Sequence, residues 1–413
     1  MDMIIKESSQ ENTQKISTDE DQIHEIVSRG VEDVFILEDV RKKLLSGKKL
    51  RIKLGFDPTS PHVHIGRAVV LWKLRAFQDL GHTAVFIVGD FTAQIGDPSD
   101  KLEKRPMLSS EKIKENLKTY KEQIGKIIDL SQAEFHYNST WLSKLGFQEI
   151  AELAESFSVQ QMSTRRNFKD RFDRGEEVSL REFLYPLMQG YDSVAVEADV
   201  ELGGFDQLFN VKAGRIIQKH YHKAEQDVLT VQMLEGTDGR KMSSSWGNVI
   251  SLIDSPADMY GKVMAIRDEL IGKYFLLCTR LSLDEIAHIK NDLAVGKNPR
   301  DLKARLAREI VTLYHGATAA EEAEQNFTNT FKKGELPDDV KEVSVPQSSL
   351  LIDILIKEGL IESKTDFRRL VKGGAIAEIG SEVVVADVNY HIERDIALRI
   401  GKKRFIRIKI GKK

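Results

Sequence analysis

The sequence predicts an α/β protein: a doubly wound parallel sheet, then a helical region and a small, basic α+β module. Three observations carry this. First, "LRIKLGF" (50–56) and "HTAVFIVGDF" (82–91) flank "IGRAVVLWKLRAFQDLG" (65–81), which has helical spacing and a closing glycine. Strand, helix and strand within roughly forty residues make a βαβ unit. Second, "HTAVFIVGDF" is almost entirely apolar, as a strand covered on both faces must be. Third, "AEFHY" (133–137) and "DVLTVQML" (227–234) repeat that strand character, separated by helical patterns.

The elements follow in order. After a polar lead, "DVFILEDVRKKLLSG" (33–47) is expected to be one short helix closed by Gly47. The sheet then occupies the chain to about residue 245, giving a first domain of 1–246. Residues 247–335 are charged and helically patterned, 336–347 read as a linker by their Pro, Asp and Ser content, and 348–413 form the last module. There the alternation of Phe405, Ile406, Ile408 and Ile410 with Arg and Lys predicts a strand with one buried face.

Composition narrows the function. Of 413 residues 41% are apolar and 30% charged, which fits a soluble globular protein. The lead has no signal-peptide pattern and no apolar run is long enough to span a bilayer, so a cytoplasmic protein without membrane contact is expected. The single cysteine, Cys278, excludes an internal disulfide and thiolate zinc clusters, and no metal site is expected. Net charge is −3, but 348–413 carry 14 Lys and Arg against 9 Asp and Glu. A basic module on an acidic body points to a polyanion. On one helical face of it lie Lys364, Arg368, Arg369 and Lys372, suited to backbone phosphates.

Four stretches carry chemistry. "GFDPTSPHVHIGR" puts two imidazoles and a glycine where a helix begins, and free N–H groups there attract anions. Thr59 and His64 can donate to phosphate oxygens, and Gly66 permits close approach. "TDGRKMSSSWGN" offers Lys241 and the hydroxyls of Ser243, Ser244 and Ser245 on a loop; alone it is equally a solvated serine-rich turn. "YPLMQGYD" sets Tyr185, Gln189 and Asp192 on one helical stripe, and Pro186 suggests that the helix begins close to it. "ELGGFDQLFN" offers Gly203 and Gly204 for close approach, Asp206 for ribose hydroxyls and Gln207 as an amide. Neither G-x-G-x-x-G nor G-x-x-x-x-G-K-[ST] is present, which disfavours a dinucleotide dehydrogenase and a P-loop enzyme.

Together, in this order and spacing over roughly 30–410, these stretches resemble the tyrosyl-tRNA synthetases, bacterial type. "HIGR" stands at the HIGH signature of that class I family and "KMSSS" at its KMSKS. "FTAQIGDPSDK", "YPLMQGYD" and "GGFDQ" look like its tyrosine and adenosine contacts, and the last module looks like an S4-type RNA-binding domain. The resemblance implies a Rossmann-like catalytic domain, a helical tRNA-contacting domain, and attachment of tyrosine to tRNA(Tyr) through a tyrosyl-adenylate. It implies ATP as substrate with Mg2+, no tightly bound cofactor, and a homodimer. On the ATP side it places Asp57, Thr59, His64, Gly66, Arg67, Lys101, Arg105, Gly204, Asp206, Lys241, Met242, Ser243, Ser244 and Ser245. Around tyrosine it places Thr92, Asp97, Tyr185, Gln189 and Gln207, with Asp192 on the phenol, and on tRNA Lys364, Arg368, Arg369 and Lys372.

Three positions depart from the pattern. Arg67 replaces the second histidine of HIGH and Ser244 the second lysine of KMSKS. Arg67 is expected either to contact phosphate or to point to solvent. Lys53 stands where one bacterial branch has a phenol-contacting tyrosine; this chain resembles the branch with a "VKLG"-like stretch, and the sequence assigns Lys53 no role. The alternatives are a non-catalytic RNA-binding paralogue and a tryptophanyl-tRNA synthetase; a nucleotidyltransferase outside the synthetases would not need the last module.

Overall fold

The computed structural model describes residues 15–99, 107–243, 246–332, 340–379, 383–401 and 404–411. Six strands build the first sheet: β1 (Val31–Phe35), β2 (Arg51–Phe56), β3 (Thr83–Val88), β4 (Glu134–Tyr137), β5 (Val200–Gly204) and β6 (Asp227–Val231). Their order is β1-β6-β5-β2-β3-β4. β6, β5, β2, β3 and β4 are parallel, with Ile52 opposite Ala84 and Val200 opposite Asp227 in register. β1 runs antiparallel to β6 on the edge. Ala84 to Val88 are fully buried, because helices cover both faces.

Two local expectations need correction. The 33–47 stretch is not one helix: its first residues belong to β1, and Leu37–Leu45 is the helix. Val and Phe favour a strand, an unpaired edge of β6 was available, and Ile36 turns the chain with φ 59°. The second concerns Pro186, which sits inside the helix Leu180–Ala195 rather than near its start. That helix begins earlier, where Glu182 Oε1 accepts from the Ser179 N–H at 3.0 Å. In that first turn the buried Arg171 pairs with Glu182 at 2.6 Å.

The chain divides into two compact units, one running to Asp254 and including Ala265–Leu306, the other combining Ser255–Met264 with residues from Ala307 onward. Among the described residues the second unit carries six strands: β7 (Glu342–Val345), β8 (Ser349–Leu350), β9 (Ile376–Glu378), β10 (His391–Ile392), β11 (Ile396–Ile400) and β12 (Arg404–Ile410). Four of them form a sheet in the order β7-β12-β11-β9. β7 comes from the stretch expected as linker and pairs parallel with β12. Along β12, Ile406 and Ile408 are buried while Arg407 and Lys409 are exposed, the one-sided pattern read from the sequence. They share a core with Leu351, Leu355, Phe367 and Leu398.

Candidate active site

In the first sheet the chain runs outward from β2 to β3 and β4, then returns to β5 on the other side of β2. The ends of β2 and β5 therefore flank the point where the winding reverses, the crevice in which open α/β sheets bind ligands. Asp57 and Thr59 follow β2, Thr92 follows β3, and Gly204, Asp206 and Gln207 end or follow β5. Strand order thus gathers residues that are far apart in sequence.

The helix Ile65–Asp79 points its start into this crevice, and His64 caps it: Nδ1 accepts from the Arg67 N–H at 3.3 Å. A nitrogen that accepts carries no proton, so the proton sits on Nε2, free to donate outward. Burial, reinforced by the Arg67 and Lys241 cations, pushes the His64 pKa down to about 3, so the ring stays neutral. Gly66 leaves room that a side chain would crowd: a Cβ there would meet the His64 ring at 3.0 Å and Met242 Sδ at 3.2 Å. The two signature stretches thus touch. His62 is exposed at the rim.

Arg67 does not point to solvent. Its guanidinium folds back under the turn, donating to the Asp57 carbonyl at 3.4 Å, Tyr120 Oη at 2.9 Å and Thr59 Oγ1 at 3.1 Å. It lies 5.5 Å from the Phe56 ring centre. Because Thr59 accepts from Arg67, its own hydroxyl proton is free for another acceptor.

Beside the helix start sits an acidic cup. The Tyr185 hydroxyl donates to Asp57 Oδ2 at 2.9 Å and the Thr92 hydroxyl to Oδ1 at 2.7 Å. Burial raises Asp57 to about 7 despite these donors, with nearby Asp97 adding to the rise. Tyr185 is pushed well above the usual phenol range by burial and by the surrounding carboxylates Asp57, Asp97 and Asp192. Asp97 accepts from Gln207 Nε2 at 2.6 Å and from Asn210 Nδ2 at 3.2 Å. Asp192 accepts from Trp141 Nε1 at 2.8 Å and Asn138 Nδ2 at 3.3 Å. Gln189 donates to Glu201 at 3.1 Å.

Across the crevice Lys241 pairs with Asp206 at 2.9 Å. Asn248, buried below the loop, accepts from the Ser243 N–H at 2.9 Å and donates to the Lys241 carbonyl at 3.1 Å. A Cβ on Gly204 would meet Asp206 Oδ1 at 2.7 Å. Lys101, Arg105, Ser244 and Ser245 lie outside the described residues. In the second unit Lys364, Arg368, Arg369 and Lys372 are all exposed on the helix Lys364–Lys372, whose Phe367 and Val371 enter the core. Arg369 is paired with Asp366 at 2.6 Å.

Sequence reasoning missed Asn138, Trp141, Tyr120, Asn210, Asn248 and Glu201. Asn138 and Trp141 had a signal: they follow the carboxyl end of β4, where parallel sheets collect ligand contacts. Among the described residues no group of three His, Cys, Asp or Glu is placed to hold a metal ion, and no helix is long and apolar enough to cross a membrane.

Comparison with known proteins agrees with this geometry. The family model "tRNA synthetases class I (W and Y)" matches residues 45–332. A tyrosine–tRNA ligase of Carboxydothermus hydrogenoformans is 44% identical over 399 residues, covering 93% of this chain and 97% of its own. One of Dehalococcoides mccartyi is 46% identical over 390 residues, covering 94% and 98%. In structure, a C-terminally truncated mitochondrial tyrosyl-tRNA synthetase of Aspergillus nidulans superposes with a TM-score of 0.63 at 23% identity, over 75% of this chain and 94% of its own, a likeness of fold. With matches of this extent, the chain belongs to the tyrosine–tRNA ligase family of class I tRNA synthetases.

Proposed function

We propose that this protein attaches tyrosine to tRNA(Tyr) in two steps. The tyrosine carboxylate attacks the α-phosphate of ATP and pyrophosphate leaves. A ribose hydroxyl at the tRNA 3′ end then attacks the tyrosyl carbonyl and AMP leaves. The observation that carries this reading is the meeting of a capped helix start with a cup of three carboxylates around Tyr185 at one switch point. The helix start suits a polyphosphate and the cup suits an α-ammonium.

No protein nucleophile is needed, so catalysis is positioning and charge stabilisation. His64 Nε2–H and the Thr59 hydroxyl donate to phosphate oxygens, and Arg67 fixes Thr59 for that task. Lys241 neutralises the leaving pyrophosphate, exchanging Asp206 for phosphate; Asp206 then turns to the ribose. The serines of the loop, with Lys101 and Arg105, complete the phosphate contacts. Mg2+ enters with the ATP and balances its charge. Asp97, Tyr185, Gln189, Thr92 and Gln207 hold the ammonium end of tyrosine, and Asp192 accepts from its phenol. A site that bonds the hydroxyl rejects phenylalanine by ~10⁴–10⁵ without editing. The S4-like module and the resemblance to tyrosine–tRNA ligases over most of the chain disfavour the tryptophanyl alternative.

The helical region 247–335 and the S4-like module 348–413 would contact tRNA, the latter through Lys364, Arg368, Arg369 and Lys372. A cytoplasmic homodimer fits the exposed Phe147, Ile150, Val159, Phe172 and Leu180, all on consecutive helices between β4 and β5. Pyrophosphate–ATP exchange without tRNA, offered tyrosine, tryptophan and phenylalanine in turn, tests the reading. Exchange with tyrosine alone is expected. A folded protein that binds tRNA but exchanges with none would be the non-catalytic paralogue.

A further inference from the structure

Beneath the acidic cup lies an ion pair that the reaction as described does not use. Lys53 on β2 is 0% exposed and Glu201 on β5 is 1% exposed, and they meet at 2.9 Å. The Lys53 ammonium also donates to the Gln189 carbonyl at 2.8 Å and to Ser193 Oγ at 2.7 Å, so all three of its protons are used. Glu201 is equally saturated. It accepts from Gln189 Nε2 at 3.1 Å, Ser193 Oγ at 3.1 Å and Gln226 Nε2 at 2.5 Å.

Gln189 and Ser193 are one helical turn apart and bracket Asp192. The pair therefore grips the turn of helix that presents Asp192. Apolar residues of similar volume would stabilise such a core at least as well, so stability alone does not account for a buried ion pair here.

We propose that Lys53, held in place by Glu201, is a specificity-determining positioning residue. It sets a positive charge behind Asp192 and fixes the Gln189–Ser193 turn, so that Asp192 presents a carboxylate acceptor to the phenol hydroxyl. This rests on the reading of Asp192 as the acceptor for that hydroxyl. The groups around Asp192 are the Trp141 and Asn138 donors, Lys53, Glu201 and the Tyr185 phenol. Burial pushes Asp192 up to about 6; Lys53 is the largest influence holding it down, and Glu201 pushes weakly upward. Without Lys53 the Asp192 carboxyl would be pushed further up, and more of it would carry a proton and act as a donor as well as an acceptor. Its preference for a phenol over a bare ring would then fall.

The test is pyrophosphate exchange with tyrosine and with phenylalanine across roughly pH 6 to 8, on the full chain, with thermal melts to establish folding. Three variants are compared: Lys53→Arg, which keeps a cation against Glu201; Lys53→Met with Glu201→Gln, which removes both charges; and Asp192→Asn. Lys53→Arg, the conservative replacement, should retain most of the tyrosine-to-phenylalanine ratio of kcat/KM. The double variant should lower that ratio roughly tenfold or more, chiefly through KM for tyrosine, and move the acid limb of kcat/KM to higher pH.

A folded double variant with wild-type ratio and acid limb would overturn the proposal and leave Lys53 a structural residue. Equal loss for both substrates, with an unmoved limb, would do the same. If the methionine variant does not fold, Lys53→Gln with Glu201→Gln supplies a neutral pair that keeps a hydrogen bond to the Gln189 carbonyl. An Asp192→Asn protein with an unchanged ratio would instead sink the reading of Asp192 itself.

Discussion

The Tyr185 hydroxyl donates to Oδ2 of Asp57 at 2.9 Å and joins the helix Leu180–Ala195 to the turn after β2. The bond makes Asp57 part of the amino-acid pocket as well as of the ATP side. Removing it with Tyr185→Phe leaves one Asp57 oxygen without its buried donor, at a cost of about 1–3 kcal/mol. KM for tyrosine in the exchange reaction should rise roughly tenfold or more, with a smaller effect on KM for ATP. An unchanged KM for tyrosine would separate the two sites.

The raised Asp57 makes tyrosine binding pH-dependent. Its folded pKa, about 7, lies above the ordinary carboxylate value of 3.8, so the folded chain binds more protons than the unfolded chain between those limits. Folding stability therefore falls as pH rises through that window. Binding runs the other way: an α-ammonium favours the carboxylate, so tyrosine should expel part of a proton near neutral pH and bind more weakly as pH falls below about 7. Calorimetric titration in buffers of different ionisation enthalpy reads the proton directly. Asp57→Asn should remove that proton.

His64 does two jobs that substitution can separate. Asparagine at this position keeps a capping acceptor for the Arg67 N–H but loses the outward N–H donor. His64→Asn should keep the melting temperature within a few degrees, since capping is preserved. The rate of tyrosyl-adenylate formation should fall by roughly 10²–10³, as for loss of one donor to a charged transition state. His64→Ala should show the same rate loss with an added destabilisation of about 1 kcal/mol. Rapid-mixing fluorescence and thermal melts measure the two effects.

Arg67 anchors the Thr59 hydroxyl and the Asp57 carbonyl from below. The shorter imidazole of Arg67→His cannot reach both. KM for ATP should rise several-fold to tenfold with KM for tyrosine little changed. Tyr120→Phe, which removes another partner of the guanidinium, should reproduce a smaller part of that effect. Arg67→His with unchanged activation kinetics would show that Thr59 needs no such anchor.

The last module has its own buried core, so it can be removed without opening the parallel sheet. A chain ending before Glu342 should retain pyrophosphate exchange within about two-fold and lose most tRNA charging. In the full chain, Lys364→Ala and Arg368→Ala should each weaken tRNA binding and lower the salt slope by roughly one. Equal loss of exchange and charging in the shortened chain would contradict this division of labour.

Much of this was legible in the sequence because it is local. The β2–helix–β3 unit, the one-sided pattern of β12 and the basic helix face follow from spacing among near neighbours. His64 as a helix cap follows from its place beside "IGR", and the resemblance over most of the chain follows from motifs in order. Tertiary structure decided the rest. The edge of β6 drew β1 out of an expected helix, and capping at Ser179 started the helix Leu180–Ala195 six residues before Pro186. Arg67 turned inward because Tyr120, 53 residues away, offered it an acceptor. Lys53 acquired a partner on β5 and a hold on residues 136 and 140 positions further along. Such pairings depend on which strand ends become neighbours, and strand order is fixed by packing the whole sheet rather than by local spacing.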